Sequence, residues 1–201
     1  LRTDLCLEAI RLARALTELM PDEPEVLGLL ALLLLTEARR PARVGPSGEL
    51  VVLADQDRSL WNRELIAEGH ELVRRCLRVD RPGPYQVQAA INAVHTDGSS
   101  TDWTQVLALY DRLWRLTPTP IVALNRAVAV AEVHGPAVAL DGIAELDLPG
   151  YHHLPATRAN LLARLGRTSE AIAAYDEAIA SATNDTERAF LETCRTRLGS
   201  R

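Results

Sequence analysis

LGRTSEAIAAYDEAI, the run from Leu165 to Ile179, sets the reading of the whole chain. After Gly166, the residues Ala171, Tyr175 and Ala178 recur at spacings of four and three, the interval that lines one face of an α-helix. The same face returns upstream in register. Leu72, Val106, Leu140 and Ala171 form one column with steps of 34, 34 and 31 residues, and Cys76, Tyr110, Ala144 and Tyr175 form the next. Pro84 and Pro118, again 34 apart, are expected to close the second helix of their units. Gly135 and Gly166, 31 apart, fall between paired helices, where a left-handed residue or a close approach is useful. Ala9, Leu16 and Pro21 show the same offsets near the start. Thirty-odd residues accommodate two helices and a turn, and such a unit buries its apolar face only by stacking on a neighbour.

The last copy resembles the second helix of a tetratricopeptide (TPR) repeat, with Ala171, Tyr175 and Ala178 as its packing column. Helices are expected over 4–19, 23–38, 60–79, 85–95, 102–116, 121–133, 137–145, 152–165, 169–181 and 185–198, with breaks at Pro or Gly. Asp102 with Gln105, and Asn184 with Glu187, have the spacing of reciprocal N-terminal caps. The segment 39–58, RRPARVGPSGELVVLADQDR, interrupts the rhythm, and only Leu50 to Leu53 reads as extended. The expected fold is all-α: a TPR-like superhelix of about ten helices with one irregular insertion near 39–58. It forms a single domain over 1–201, made of a first helix pair (1–38), the insertion, and stacked pairs from 59 onward.

Composition narrows the function. The 201 residues are 47% apolar, enough for a continuous core, and carry a net charge of −5 with no lysine at all. A surface that wraps a nucleic-acid backbone would be basic, so direct nucleic-acid binding is not expected. Aromatic residues make up 4%, too few for base-stacking platforms. Cys6, Cys76 and Cys194 are far apart and form no CxxC, which suggests neither a disulfide framework nor a zinc site and fits a reducing cytoplasm. The longest apolar run, Val26 to Leu35, covers about half of the roughly 20 residues that cross a bilayer, so a buried helix is expected and no membrane anchor. No secretory leader is visible, and the chain opens in mid-helix pattern, which suggests part of something longer.

The densest polar cluster is Asp55, Gln56, Asp57 and Arg58, followed by Ser59, Trp61 and Asn62. Three roles fit these residues: two carboxylates could ligate a hard cation or exchange protons, Asp57 or Ser59 could cap the following helix, or the group could contact another domain. Docking is the role assigned. His70-Glu71 lacks the second histidine of a zinc-protease helix, and His152-His153, as neighbours on a helix, are expected to point apart. No phosphate loop, dinucleotide fingerprint or nucleophile elbow is present. Neither an enzyme, a metal site nor a cofactor is expected. In a TPR stack the first helices line the groove, so Gln88, Asn92, Asn125 and Arg126 could accept the backbone of a bound segment. Asn92 and Asn125 could equally tie neighbouring helices together. Trp61, Trp103 and Trp114 are expected in the packing between helices.

Several stretches together resemble the C-terminal extension of one class of bacterial extracytoplasmic-function (ECF) RNA polymerase sigma factors: LGLLALLLLTEARRPARVGPSGELVVLADQDRSLWNRELIAEG, RPGPYQVQAAINAVH, TDWTQVLALYDRL and PIVALNRAVAVAEVHGP, with the final LGRTSEAIAAYDEAI. Asp55 to Arg58 with Trp61, and Gly83-Pro84-Tyr85-Gln86, carry most of the likeness. Asn62 stands where the resemblance implies an acidic residue. The resemblance implies a regulatory module that contacts the sigma DNA-binding domains in cis, RNA polymerase core or a regulatory protein, with Tyr85 joining the contact residues. The sigma DNA-binding regions themselves are not in this sequence.

Overall fold

The computed structural model describes residues 3–199. Ten helices follow one another: α1 (Thr3–Leu19), α2 (Pro24–Ala38), α3 (Arg63–Val79), α4 (Pro84–Thr96), α5 (Trp103–Leu116), α6 (Pro120–His134), α7 (Pro136–Gly142), α8 (His153–Arg164), α9 (Thr168–Ser181) and α10 (Asp185–Gly199). Among the described residues there is no β-strand, only an isolated antiparallel bridge between Val44 and Leu50. Three short 3-10 turns, Arg40–Ala42, Leu53–Asp55 and Arg58–Leu60, occupy the stretch between α2 and α3. Of the run expected to be extended, Leu50 pairs in the bridge while Leu53 opens a turn.

The chain divides into two compact units, one running to Arg43 and resuming over Val52–Thr117, the other comprising Val44–Val51 and the chain from Pro118 onward. In the first, α2 is apolar on every side because it packs against α1, α3 and α4. Leu34 and Leu35 are fully buried there, each contributing about 2 kcal/mol of transfer free energy. The helices approach closely where Gly28 meets α4, since a Cβ at that position would lie 2.6 Å from the Gln86 backbone nitrogen. Cys76 is buried in the same core with its Sγ directed at the Pro24 carbonyl oxygen, and burial pushes its thiol up to about 11, so it is a packing residue and not a nucleophile.

In the second unit, α8 and α9 form a hairpin over a core of Ala159, Leu162, Ala171, Ala174, Tyr175 and Ala178, joined by Leu191 of α10. Gly166, at φ 73°, ends α8. The Arg167 N–H donates to the Leu162 carbonyl and the Gly166 N–H to that of Ala163, the pair of bonds that satisfies a helix C-terminus.

Four features of the repeat differ from the sequence expectation. Pro84 opens α4 and does not close α3, which ends at the left-handed Asp80; Pro24, Pro120 and Pro136 likewise start helices, where a missing N–H costs nothing. Around α7, Ala139 and the following Ile143 are the buried residues, while Leu140 packs only partly buried against the α8–α10 core and Ala144 is exposed, so the column slips by one residue. On α1 the buried face holds Ile10 and Ala13, leaving Leu16 exposed. Trp61 is buried, whereas Trp114 is 39% exposed because it lies one residue, and so about 100° around the helix, from the buried Leu113.

Candidate functional site

Asp57 to Asn62 form a tight knot between the insertion and α3. The Asp57 carboxylate accepts the Ser59 N–H at 2.8 Å and caps the turn Arg58–Leu60. The Ser59 hydroxyl and N–H hold that carboxyl below the usual aspartate range. The turn delivers Arg58 over the Trp61 ring, 4.6 Å from its centroid, and the Arg58 guanidinium donates to the Gly98 carbonyl at 3.0 Å. Asn62 then caps α3 by accepting the N–H groups of Glu64 and Leu65, and its own N–H donates to the Ala38 carbonyl at the end of α2. The cap of α3 is thus Asn62, and not Asp57 or Ser59, of which Asp57 caps the preceding turn instead. Asp55 is exposed in the preceding turn, and Gln56 is half-buried beside it.

Behind the knot sits a residue that the sequence did not single out. Arg39 is 8% exposed, and its Nη2 donates to the neutral amide oxygen of Asn92 at 2.7 Å. Its Nε is buried without a hydrogen-bond partner. Burial first, then the nearby charges of Arg43 and Arg58, bring this guanidinium down to about 10, so it stays charged near neutrality. The same field reaches His95 on α4. Burial, with Arg39 and Arg58, presses its imidazole down to about 4, and the ring packs edge-on against Trp103 with centroids 5.4 Å apart. Arg39, Arg43 and Arg58 thus share one region of positive potential. An open pocket of about 420 Å³ adjoins it, lined by Arg58, Trp61, Arg63, His70 and Arg74 against a single carboxylate, Asp97. Such an arrangement suits an acidic ligand, in which each carboxylate would relieve like-charge repulsion.

The groove residues read from the sequence are only partly brought together. Asn92 is internal: it accepts from Arg39 and its Nδ2 donates to the Gln88 carbonyl at 3.0 Å, which makes it a tie between helices instead of a groove donor. Gln88 is half-buried on the same helix. Asn125 is exposed and Arg126 half-buried on α6, in the other unit. Tyr85 is 45% exposed, yet the Gly83-Pro84-Tyr85-Gln86 element has a structural job: the Glu25 carboxylate of α2 accepts the N–H groups of Tyr85 and Gln86 and the Gln86 side-chain amide. It thereby satisfies the open donors at the start of α4.

Away from this knot, the structure overturns one geometric expectation. His152 and His153 do not point apart. Their ring centroids are 4.0 Å from one another, although His152 already has helical backbone angles just ahead of His153, the first residue of α8.

The model of a family of unknown function (DUF6596) matches residues 1–77, a span that includes the Asp55–Trp61 knot. An uncharacterized protein of Rhizobium meliloti (strain 1021) is 49% identical over 193 residues, which is 94% of this chain and 46% of that protein. The chain therefore spans about half the length of the curated relative it matches. A thermophilic TPR protein from Thermus thermophilus superimposes with a TM-score of 0.62 over 96% of this chain and 89% of its own, at 16% identity. The fold is accordingly TPR-like. No helix among the described residues is long and apolar enough to cross a membrane.

Proposed function

We propose that this chain is the regulatory protein-interaction module of an ECF-type sigma factor, acting in the cytoplasm and docking through the knot at Asp55–Trp61. The observation that carries the reading is the buried Arg39, bonded to a neutral amide and grouped with Arg43 and Arg58 behind Trp61 and an open pocket. Buried charge held by neutral groups destabilises a free domain and is relieved by a partner that supplies carboxylates. The partner surface therefore offers an acidic segment, supplied by the sigma domains in cis, by RNA polymerase core or by a regulatory protein. The curated relative, about twice as long as the matched part, has room for further domains. No chemical reaction and no nucleic-acid contact are assigned to this module.

The test is transcription from a cognate promoter by the full-length protein. Arg58→Ala and Asp57→Ala should alter output while the thermal midpoint of the protein stays within a few degrees of the parent. Unchanged output from folded variants would remove the docking role. The TPR-like fold also favours a second reading, an independent scaffold that holds an unrelated peptide. Capture of a partner that ignores the sigma domains altogether would favour that scaffold.

A further inference from the structure

We infer that His152, His153 and Glu187 form a binding site for a divalent transition-metal ion of the Zn2+ type. Their potential ligand atoms, two imidazole nitrogens and a carboxylate oxygen, lie within 4.8 Å of one another, so small side-chain rotations suffice to close them on one ion. His152 Nε2 stands 3.1 Å from Glu187 Oε2, and it is buried without a satisfying hydrogen bond. A buried imidazole nitrogen left in that state is costly unless something else engages it.

Local structure explains why the three groups meet. His152, with helical backbone angles of φ −56° and ψ −20°, directly precedes α8, His153 is its first residue, and their ring centroids lie 4.0 Å apart. Tyr151 packs edge-on against His153 with ring centroids 4.9 Å apart. Asn184 caps α10 by accepting the Thr186 N–H at 2.9 Å, which fixes the first turn that carries Glu187. Two neutral imidazoles and one carboxylate match the borderline character of Zn2+ better than that of Ca2+ or Mg2+, which favour all-oxygen sets. The positive ends of α8 and α10 oppose a cation, and the Glu187 charge offsets them. With three protein ligands, the remaining position falls to water or to a donor from a partner. The ion would fasten the turn before α8 to α10 within the second unit, independently of the docking surface.

Zn2+ uptake by the tag-free whole chain, stripped with chelator, tests the assignment by competition against a chromophoric chelator and by elemental analysis. One equivalent per chain is expected, with a rise in thermal midpoint on addition. His153→Ala, at an exposed position, and Glu187→Gln should each weaken binding by more than about tenfold, since losing a ligand costs at least as much as losing an outer-shell partner. Both variants should keep the midpoint of the metal-free protein. Absence of stoichiometric uptake would overturn the site. So would two variants that bind Zn2+ as tightly as the parent, because the ion would then reside on other side chains.

Discussion

The α8–α9 hairpin of the second unit and the α2–α4 pair of the first both bring helices into close contact, by different means. Between α8 and α9 the contact is made by small apolar residues, with Ala159, Ala171 and Ala178 fully buried and Arg158, Arg164 and Arg167 directed to exposed carboxylates. Between α2 and α4 the contact runs through glycine, a buried glutamine and a buried arginine. Gly28 makes room for Gln86, Glu25 caps α4, and Arg39 reaches Asn92. The first kind of interface is a repeat doing what repeats do, while the second contains groups whose polar needs are incompletely met. Unmet charge is a cost that a purely structural interface would not carry, and it lies beside the knot assigned to docking.

The largest expected effect separates the two interfaces. Gly28→Val should destabilise the first unit by about 3 kcal/mol or more, because the new side chain meets α4 backbone that cannot move aside cheaply. Gly166→Ala, at a left-handed position with open space around it, should cost only about 1 kcal/mol. Urea unfolding of each variant checks both, and equal losses would erase the contrast.

Acid should act on the arginine-rich side. His95 is held at about 4 in the folded chain against an ordinary 6.5. Below pH 6.5 the unfolded chain takes up a proton that the folded chain refuses, so stability falls as pH drops from about 6.5 toward 4 and then levels off. The loss should be about 2 kcal/mol after allowance for partial exposure. His95→Gln should flatten that slope in pH-dependent thermal melts; an unaltered slope would place its origin elsewhere.

Capping is expected to rank next. Asn62→Ala removes the acceptor for two N–H groups of α3 and should cost about 1 kcal/mol, while Asn62→Asp should retain stability. Circular-dichroism melts of the two variants compare them directly. The smallest effect belongs to the half-exposed ion pair between Arg164 and Glu132, where Arg164→Ala should change stability by less than about 1 kcal/mol and lose even that in high salt.

How legible each interface is follows from how local its causes are. The α8–α9 columns Ala171, Tyr175 and Ala178 were readable because helical spacing projects directly onto burial. The cap at Asp102 was readable too, since donor and acceptor lie three residues apart. The slip at α7 was not, because Leu140 and Ala139 are both apolar. Within the candidate site, Asp57, Arg58 and Trp61 belong together through one turn and could be picked out as a group. Arg39 could not, because its partner Asn92 lies 53 residues further along the chain. Glu187 likewise reaches His152 only through the packing of α10.

What the sequence determined by itself is an all-helical chain of paired segments, punctuated by proline and glycine, with a net charge of −5. Those properties depend on spacing, capping and composition, all of which act over a few residues. Only the tertiary structure decided that Asn92 serves an arginine, that Gln86 and Tyr85 serve a glutamate, and that two adjacent histidines converge on a third ligand. Each of these is a meeting of distant side chains, governed by the angle and depth at which helices pack, and periodicity does not specify either.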